Sequence, residues 1–261
     1  MKKIAIIGTG YVGLVSGAGL SEFGHHVICA DIDQTKISKL ESGKITIYEP
    51  GLEELIHKNV KAGRLRFSID TASAIKSSDI IFIAVGTPQA ENGEADLSAV
   101  KAVAETISDN LNSYKIVSTK STVPVGTGKW IESIIYSHNP QTKFDYVSNP
   151  EFLREGSSVK NFMHPDRIII GTRSKKSSEI MKDVYHPLFI NEPPLLDVTV
   201  ETAEMIKYAS NAFLALKISY INEIANLCEA VGADVHQVAR AMGKDGRISP
   251  KFLHPGPGFG G

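Results

Sequence analysis

Short apolar runs recur along the first two thirds of the chain, and stretches with helical spacing fill the intervals between them. KIAIIG, HVICADI, IIFIAVG, KIVSTKS, DYVSNP and RIIIG are rich in β-branched residues and predict strands. Their apolar runs lack the alternation of a strand with one wet face, so these strands are expected to be covered on both sides. Strands alternating with helices predict an α/β fold with a doubly wound parallel sheet, whose ligands bind at the carboxyl ends of the strands.

After about residue 195 the rhythm changes. One uninterrupted helical pattern runs from Val200 to Val231, free of Pro and stopped by Gly232, with Glu201 and Glu204 placed to complement its positive N-terminus. A helix of about thirty residues extends on the order of 45 Å, which suits a spine between domains or a dimer contact. A shorter helix is expected from about Asp234 to Met242, followed by GKDGRISPKFLHPGPGFGG. The expected division is a Rossmann-like domain over 1–195 and, over 196–261, a long connecting helix with the start of a dimerisation and substrate-loop region.

Composition narrows the class of ligand. Hydrophobic residues make up 42% of the 261, enough for a sizeable core, and 28 Lys+Arg nearly balance 29 Asp+Glu. With no basic segment interleaved with aromatics, neither nucleic acid nor a membrane surface gains an electrostatic hold, and a small-molecule ligand is expected. The opening MKKIAIIGTG is interrupted by Gly8 and Gly10 before reaching the length of a secretory h-region. No apolar stretch approaches the roughly 20 residues that cross a bilayer, so the cytoplasm is the expected location. Cys29 and Cys228 lie far apart in apolar surroundings and are expected as buried thiols. The eight His lack ligand spacing, and no metal site is expected.

The first chemical motif follows the first strand. In IAIIGTGYVG, Gly8, Gly10 and Gly13 permit a tight turn, the close approach of a pyrophosphate and close packing of helix on strand. Asp31 ends the second strand, 18 residues after Gly13, where a carboxylate binds a ribose diol and repels a 2′-phosphate; NAD is therefore favoured over NADP. AVGTP and STKSTVPVG also follow strands and offer small residues, hydroxyls and backbone donors, although each alone is also an ordinary Ser/Thr-rich turn. SNPEFLREG brings Glu151 and Glu155 to a strand end: a candidate general base, or more plainly a capped, solvated helix start. Lys207 and Asn211, four apart on the long helix, could stabilise an oxyanion or form a solvated face. Arg247 and Lys251 place positive charge near the terminal loop, where phosphates could meet it.

Taken in order, GTGYVG, STVPVG, NPEFLREG, KYASNAFLALKISYINE and GRISPKFLHPGPGFGG resemble the nucleotide-sugar 6-dehydrogenases, the UDP-glucose/GDP-mannose dehydrogenase family, and most closely its UDP-glucose branch. The resemblance runs from Lys3 to Gly261, and NPEFLREG and the terminal segment are its most specific parts. It implies a two-step, NAD-dependent oxidation of a sugar C6 alcohol through an aldehyde to a carboxylate, giving UDP-glucuronate for polysaccharide biosynthesis. By that resemblance Gly8, Gly10, Val12 and Gly13 would hold the pyrophosphate, Tyr11 would belong to the same cofactor site, and Asp31 and Lys36 would hold the adenosine ribose. Gly86, Thr87, Pro88, Ser121, Thr122 and Glu155 would complete the cofactor site.

Glu151 would act as acid/base with Thr122 and a water, while Lys207 and Asn211 would stabilise the oxyanion. Phe152, Leu153, Arg154 and Glu155 would face the substrate; Phe252, His254, Pro255, Gly256, Pro257, Gly258, Phe259 and Gly260 would wrap the nucleotide sugar; and Arg247 would reach it across a homodimer interface. In the family this loop continues to a cysteine that captures the aldehyde, then to an aspartate and a further nucleotide-binding domain. Neither Cys29 nor Cys228 stands in that loop, so the chain is expected to bind cofactor without completing turnover, as if truncated before its nucleophile. The alternatives are a GDP-mannose 6-dehydrogenase, an isolated NAD-binding module without catalysis, and the β-hydroxyacid dehydrogenases. The last share a Lys-x-x-x-Asn pair but leave NPEFLREG unaccounted for.

Overall fold

The computed structural model describes residues 1–191 and 194–256. Its residues fall into two compact units, Met1–Met205 and Ile206–Gly261. In the first, eight strands form one sheet: β1 (Lys3–Ile7), β2 (His26–Ala30), β3 (Leu65–Ser68), β4 (Ile80–Ile83), β5 (Lys115–Thr119), β6 (Phe144–Ser148), β7 (Ile168–Thr172) and β8 (Leu195–Val198). Their order is β3-β2-β1-β4-β5-β6-β7-β8, so the chain winds outward from β1 in one direction and then in the other. That reversal between β1 and β4 opens the crevice in which doubly wound sheets bind dinucleotides.

The unalternating apolar runs have the expected consequence. Ile4 and Ile6 of β1 face one buried layer, with Leu14, Val15 and Phe82. Ala5 and Ile7 face the other, with Ile83, Val117 and Ile131. Helices cover both layers: α1 (Tyr11–Glu22), α2 (Gln34–Glu41), α3 (Leu52–Lys61), α4 (Thr71–Ser77), α5 (Ser98–Asn110), α6 (Thr127–His138), α7 (Ser158–Met163) and α8 (Lys175–Val184).

Three features differ from the sequence reading. The short strands β3 and β8 occupy the two sheet edges, where RLRFS and PLLDV carry charged or turn residues that mask the strand signal. β7 runs antiparallel to β6 although the other pairings are parallel. The connection between them packs α7 against α1 and re-enters the sheet at the same end from which β6 leaves it. Glu204 does not serve the start of its own helix; it accepts the Gly126 and Gly128 amides, at 2.7 and 2.8 Å, and so caps α6. Glu201 stands in the first turn of α9 as expected and also pairs with Arg173 (2.8 Å) and Lys129 (3.2 Å).

The second unit holds most of α9 (Val200–Val231) and α10 (Val235–Gly243). The Asp234 carboxylate caps α10 through the His236 and Gln237 amides, and Gly232, at φ 77°, turns the chain out of α9. A small core of Ile221, Ala239 and Leu253, joined by Ile224, Val235 and Met242, holds the two helices together. Lys217 Nζ donates to the Ile248 carbonyl (3.0 Å). Asn222 exchanges two hydrogen bonds with the backbone of Gly256, at 3.0 and 2.9 Å, fastening the segment after α10 to α9.

Both cysteines are free and buried, and burial pushes the Cys29 thiol up to about 12. Among the described residues no helix is long and apolar enough to cross a membrane, and no three His, Cys, Asp or Glu side chains gather as metal ligands. A Cβ on Gly171 of β7 would run into Ala203 and stand 2.9 Å from the Thr199 carbonyl oxygen. Gly171→Ala is expected to destabilise the first unit by about 1–3 kcal/mol, read as a lower urea midpoint.

Candidate functional site

The carboxyl end of β1 passes into α1 through Gly8, Thr9 and Gly10. Gly8 takes φ 107°, and a Cβ there would lie 2.5 Å from the Ala84 carbonyl oxygen of the neighbouring strand end. A Cβ on Gly13 would strike the Gly8 carbonyl, so α1 seats directly against the turn. Gly10 differs: at φ −74° it could hold a side chain, and no neighbouring atom lies within 4 Å of where its Cβ would stand. Helix α1 therefore opens its first amides toward solvent, with no side chain capping them.

The other helices that follow a parallel strand are different. Asp33 accepts the Thr35 and Lys36 amides of α2, Asp70 the Ser73 amide of α4, and Asp96 the Ser98 amide of α5. Glu204 caps α6 and Glu49 caps α7. The Ser174 and Thr199 hydroxyls accept first-turn amides of α8 and α9, and α3, which follows another helix and is likewise uncapped, carries Glu53 and Glu54 in its first turn. Among the described residues α1 alone has neither a side-chain cap nor an acid in its first turn, and its amides with the helix dipole fit a diphosphate.

Asp31 stands beside this turn. Its Oδ2 accepts the amide and the hydroxyl of Thr9, each at 2.7 Å, and its Oδ1 accepts the Asp33 amide at 3.0 Å. Burial pushes its carboxyl up, but the Thr9 and Asp33 donors with nearby Lys36 outweigh it and hold it below the ordinary value. It is ionised at neutral pH, as a diol acceptor must be. Ile32 beside it is 89% exposed, an apolar surface next to the carboxylate that the sequence reading passed over.

The loops after β4 and β5 are tied together. Thr87 Oγ1 donates to the Thr122 carbonyl (2.8 Å), and Ser121 Oγ donates to the Val85 carbonyl (2.6 Å). Gly86 and Pro88 flank Thr87 in this pair of loops, and a Cβ on Gly86 would meet nothing within 4 Å. The segment after β6 is not a helix start, because α7 begins only at Ser158. Glu151 lies in irregular backbone and accepts the Leu153 amide. Phe152 stacks under the Arg167 guanidinium, 3.6 Å from its ring centroid. Arg154 pairs with Asp166 at 3.3 Å, and Glu155 is exposed.

Lys120, which the sequence reading passed over, is buried and donates to Asn149 Oδ1 at 3.1 Å. The Tyr185 hydroxyl donates to the same oxygen (2.6 Å) while Asn149 Nδ2 donates to the Ile169 carbonyl (2.7 Å). A cavity of about 50 Å³ lies at this junction, lined by Lys120, Asn149, Glu151, Phe152, Arg167 and Tyr185 among others. A lysine closing an apolar strand was the one available signal.

The first unit thus gathers Gly8, Gly10, Tyr11, Val12, Gly13, Asp31, Lys36, Gly86, Thr87, Pro88, Ser121, Thr122 and the segment from Glu151 to Glu155 at strand carboxyl ends and the turns and helix starts that follow them. In the second unit, Lys207 is buried and Asn211 exposed, one turn apart on α9. Arg247 is exposed and paired with Asp245 at 2.7 Å. Phe252 adopts φ 64° and is half-buried, whereas His254 and Gly256 are exposed and Pro255 is half-buried. Pro257, Gly258, Phe259 and Gly260 lie outside the described residues.

Comparison with known proteins agrees with this geometry. The NAD binding domain of the UDP-glucose/GDP-mannose dehydrogenase family matches residues 2–189, and the central domain of that family matches residues 201–261. The chain is 55% identical to a UDP-glucose 6-dehydrogenase of Rhizobium meliloti (strain 1021) over 99% of its own length and 60% of the relative's. It superposes on a UDP-glucose dehydrogenase structure from the hyperthermophilic archaeon Pyrobaculum islandicum with a TM-score of 0.96 at 40% identity, covering 100% of this chain and 61% of that one. A ternary complex of GDP-mannose dehydrogenase from Pseudomonas aeruginosa gives a TM-score of 0.90 at 36% identity, covering 99% and 61%. The chain spans about 60% of the length of such relatives.

Two substitutions separate cofactor contact from fold. Gly10→Ala meets no neighbour, so the urea midpoint is expected to hold while NAD affinity in calorimetry falls by about tenfold or more, since the methyl occupies phosphate space. Asp31→Ala removes charge-assisted bonds worth roughly 1.5–3 kcal/mol, and should weaken NAD by about 10- to 100-fold while changing NADP binding far less. Equal losses for both cofactors would refute the ribose assignment.

Proposed function

This chain belongs to the UDP-glucose/GDP-mannose dehydrogenase family, and from that premise we propose that it is the cofactor-binding and central part of an NAD-dependent UDP-glucose 6-dehydrogenase. The observation that carries the reading is the α1 start, with neither a capping side chain nor an acid in its first turn, beside an ionised Asp31. The residues fit the cofactor: the α1 amides and Gly10 meet its pyrophosphate, and Asp31 with Lys36 meets the adenosine ribose. The tied loops at Thr87 and Thr122 meet the nicotinamide half. Bound NAD supplies a hydride acceptor. Identity of 55% to a relative named for UDP-glucose favours that sugar over GDP-mannose.

For the residues of this chain, the proposal gives Glu151, with Thr122, the task of moving a proton at the sugar hydroxyl and orienting a water. Lys207 and Asn211 stabilise the developing oxyanion through an ammonium and an amide on one helix face. Phe152, Leu153, Arg154, Glu155, Arg247 and Phe252 contact the nucleotide sugar, with the loop from His254 onward. Oxidation of the aldehyde to a carboxylate requires a thiolate to capture it. Cys29 is fully buried with its thiol pushed up to about 12, and Cys228 is buried on α9, so neither serves. These 261 residues are therefore expected to bind NAD in calorimetry without sustained NADH formation from UDP-glucose; steady production of two NADH per sugar would overturn this.

A homodimer in the cytoplasm belongs to the same proposal. Phe213, Leu216, Tyr220 and Leu227 recur at spacings of three, four and seven residues on α9 and are all exposed, Leu216 at 61%. A stripe of this kind marks a protein interface. Sedimentation is expected to give a dimer that Leu216→Asp converts to monomer, and a monomeric parent at high micromolar concentration would remove the proposal.

A further inference from the structure

Glu49 lies in the loop between α2 and α3, outside every segment to which a role was assigned, yet it is only 5% exposed. Its Oε2 accepts the Tyr11 hydroxyl (2.6 Å) and the Gly156 amide (2.9 Å), while Oε1 accepts the Ser158 amide (2.7 Å). Three donors from two distant stretches converge on one carboxylate. Tyr11 opens α1, the helix with the uncapped amides. Gly156 and Ser158 close the segment that carries Glu151 and Glu155. Burial pushes the Glu49 carboxyl up, but the Tyr11 hydroxyl and the two amides outweigh it, and the group lies below the ordinary carboxylate range. It is an acceptor only, as three donors require.

Capping α7 would account for the two backbone bonds, since Ser157 at the cap position makes none of its own. It does not account for the third. A tyrosine that only packed its ring against the loop could as well be phenylalanine; here the hydroxyl is spent on the same carboxylate. We propose that Glu49 is a positioning residue that joins the phosphate end of the cofactor site to the segment 151–158, so that NAD binding orders the stretch bearing Glu151. The inference rests on the assignment of NAD to α1. By linkage the coupling is reciprocal: whatever orders the segment also tightens NAD.

The test uses the 261-residue chain, NAD as the probe, and tryptic cleavage after Arg154, which is exposed within the segment. In the parent, saturating NAD is expected to slow this cut by about fivefold or more. Glu49→Gln keeps the size, but no carboxamide can accept all three donors; it should weaken NAD in calorimetry and speed the cut without NAD, each by about tenfold. Tyr11→Phe removes only the connecting bond, and should abolish the protection that saturating NAD gives at Arg154 while the urea midpoint stays near the parent's. If Glu49→Gln does not fold, Tyr11→Phe decides alone. Undiminished protection in Tyr11→Phe, or a parent that binds NAD in calorimetry yet is cut equally with and without it, would overturn the coupling. A parent silent in calorimetry would overturn the NAD assignment itself, and the two failures are thereby told apart.

Discussion

Three backbone segments meet at the carboxyl end of β1 with no room for a side chain between them. Gly8 lies against the Ala84 carbonyl at the end of β4, and Gly13 brings the first turn of α1 onto the Gly8 carbonyl. A methyl group at either place would push helix from strand or strand from strand. The approach has two results at once: it closes the centre of the sheet, and it aims the amides of α1 along the crevice where the winding reverses. Asp31 depends on the same turn, because Thr9, between the two glycines, supplies two of the three donors that hold its carboxylate in place.

Much of this was legible in sequence because it is local. The six β-branched runs became β1, β2, β4, β5, β6 and β7, and Val200–Val231 became α9 with the expected bounds. The glycine turn and Asp31 are separated by one helix, and their spacing alone places them together. What escaped was set by distant pairing. Glu49 finds Gly156 and Ser158 across more than a hundred residues, and nothing in IYEPG signals that partner. Glu204 reads as an ordinary acid in the first turn of a helix, and only the fold shows it bonded to α6. Edge strands β3 and β8 carry weak apolar patterns because each has only one neighbour to satisfy.

The segment from Asn149 to Ser158 illustrates how irregular backbone is made definite. Lys120, Tyr185 and the Ile169 carbonyl hold Asn149 at its start, and Glu49 holds its end. Arg167 fixes Phe152 from the side. Between these anchors Glu151 is carried by a span too short to wander, without the regular hydrogen bonding that a helix would impose on it. Such a segment keeps a carboxylate placed while leaving its backbone able to adjust.

The carboxylates that cap five helix starts also bear on how the protein treats small anions. In α2, α4, α5, α6 and α7 the dipole is already answered from within, so a dissolved anion finds no purchase there. Hydroxyls of Ser174 and Thr199 answer α8 and α9, and Glu53 and Glu54 in the first turn of uncapped α3 repel an anion, so inorganic phosphate or sulfate is drawn chiefly to α1. If the cofactor's diphosphate takes that place, buffer phosphate competes with it there, and ionic strength and specific anion become separable variables in a titration of this protein.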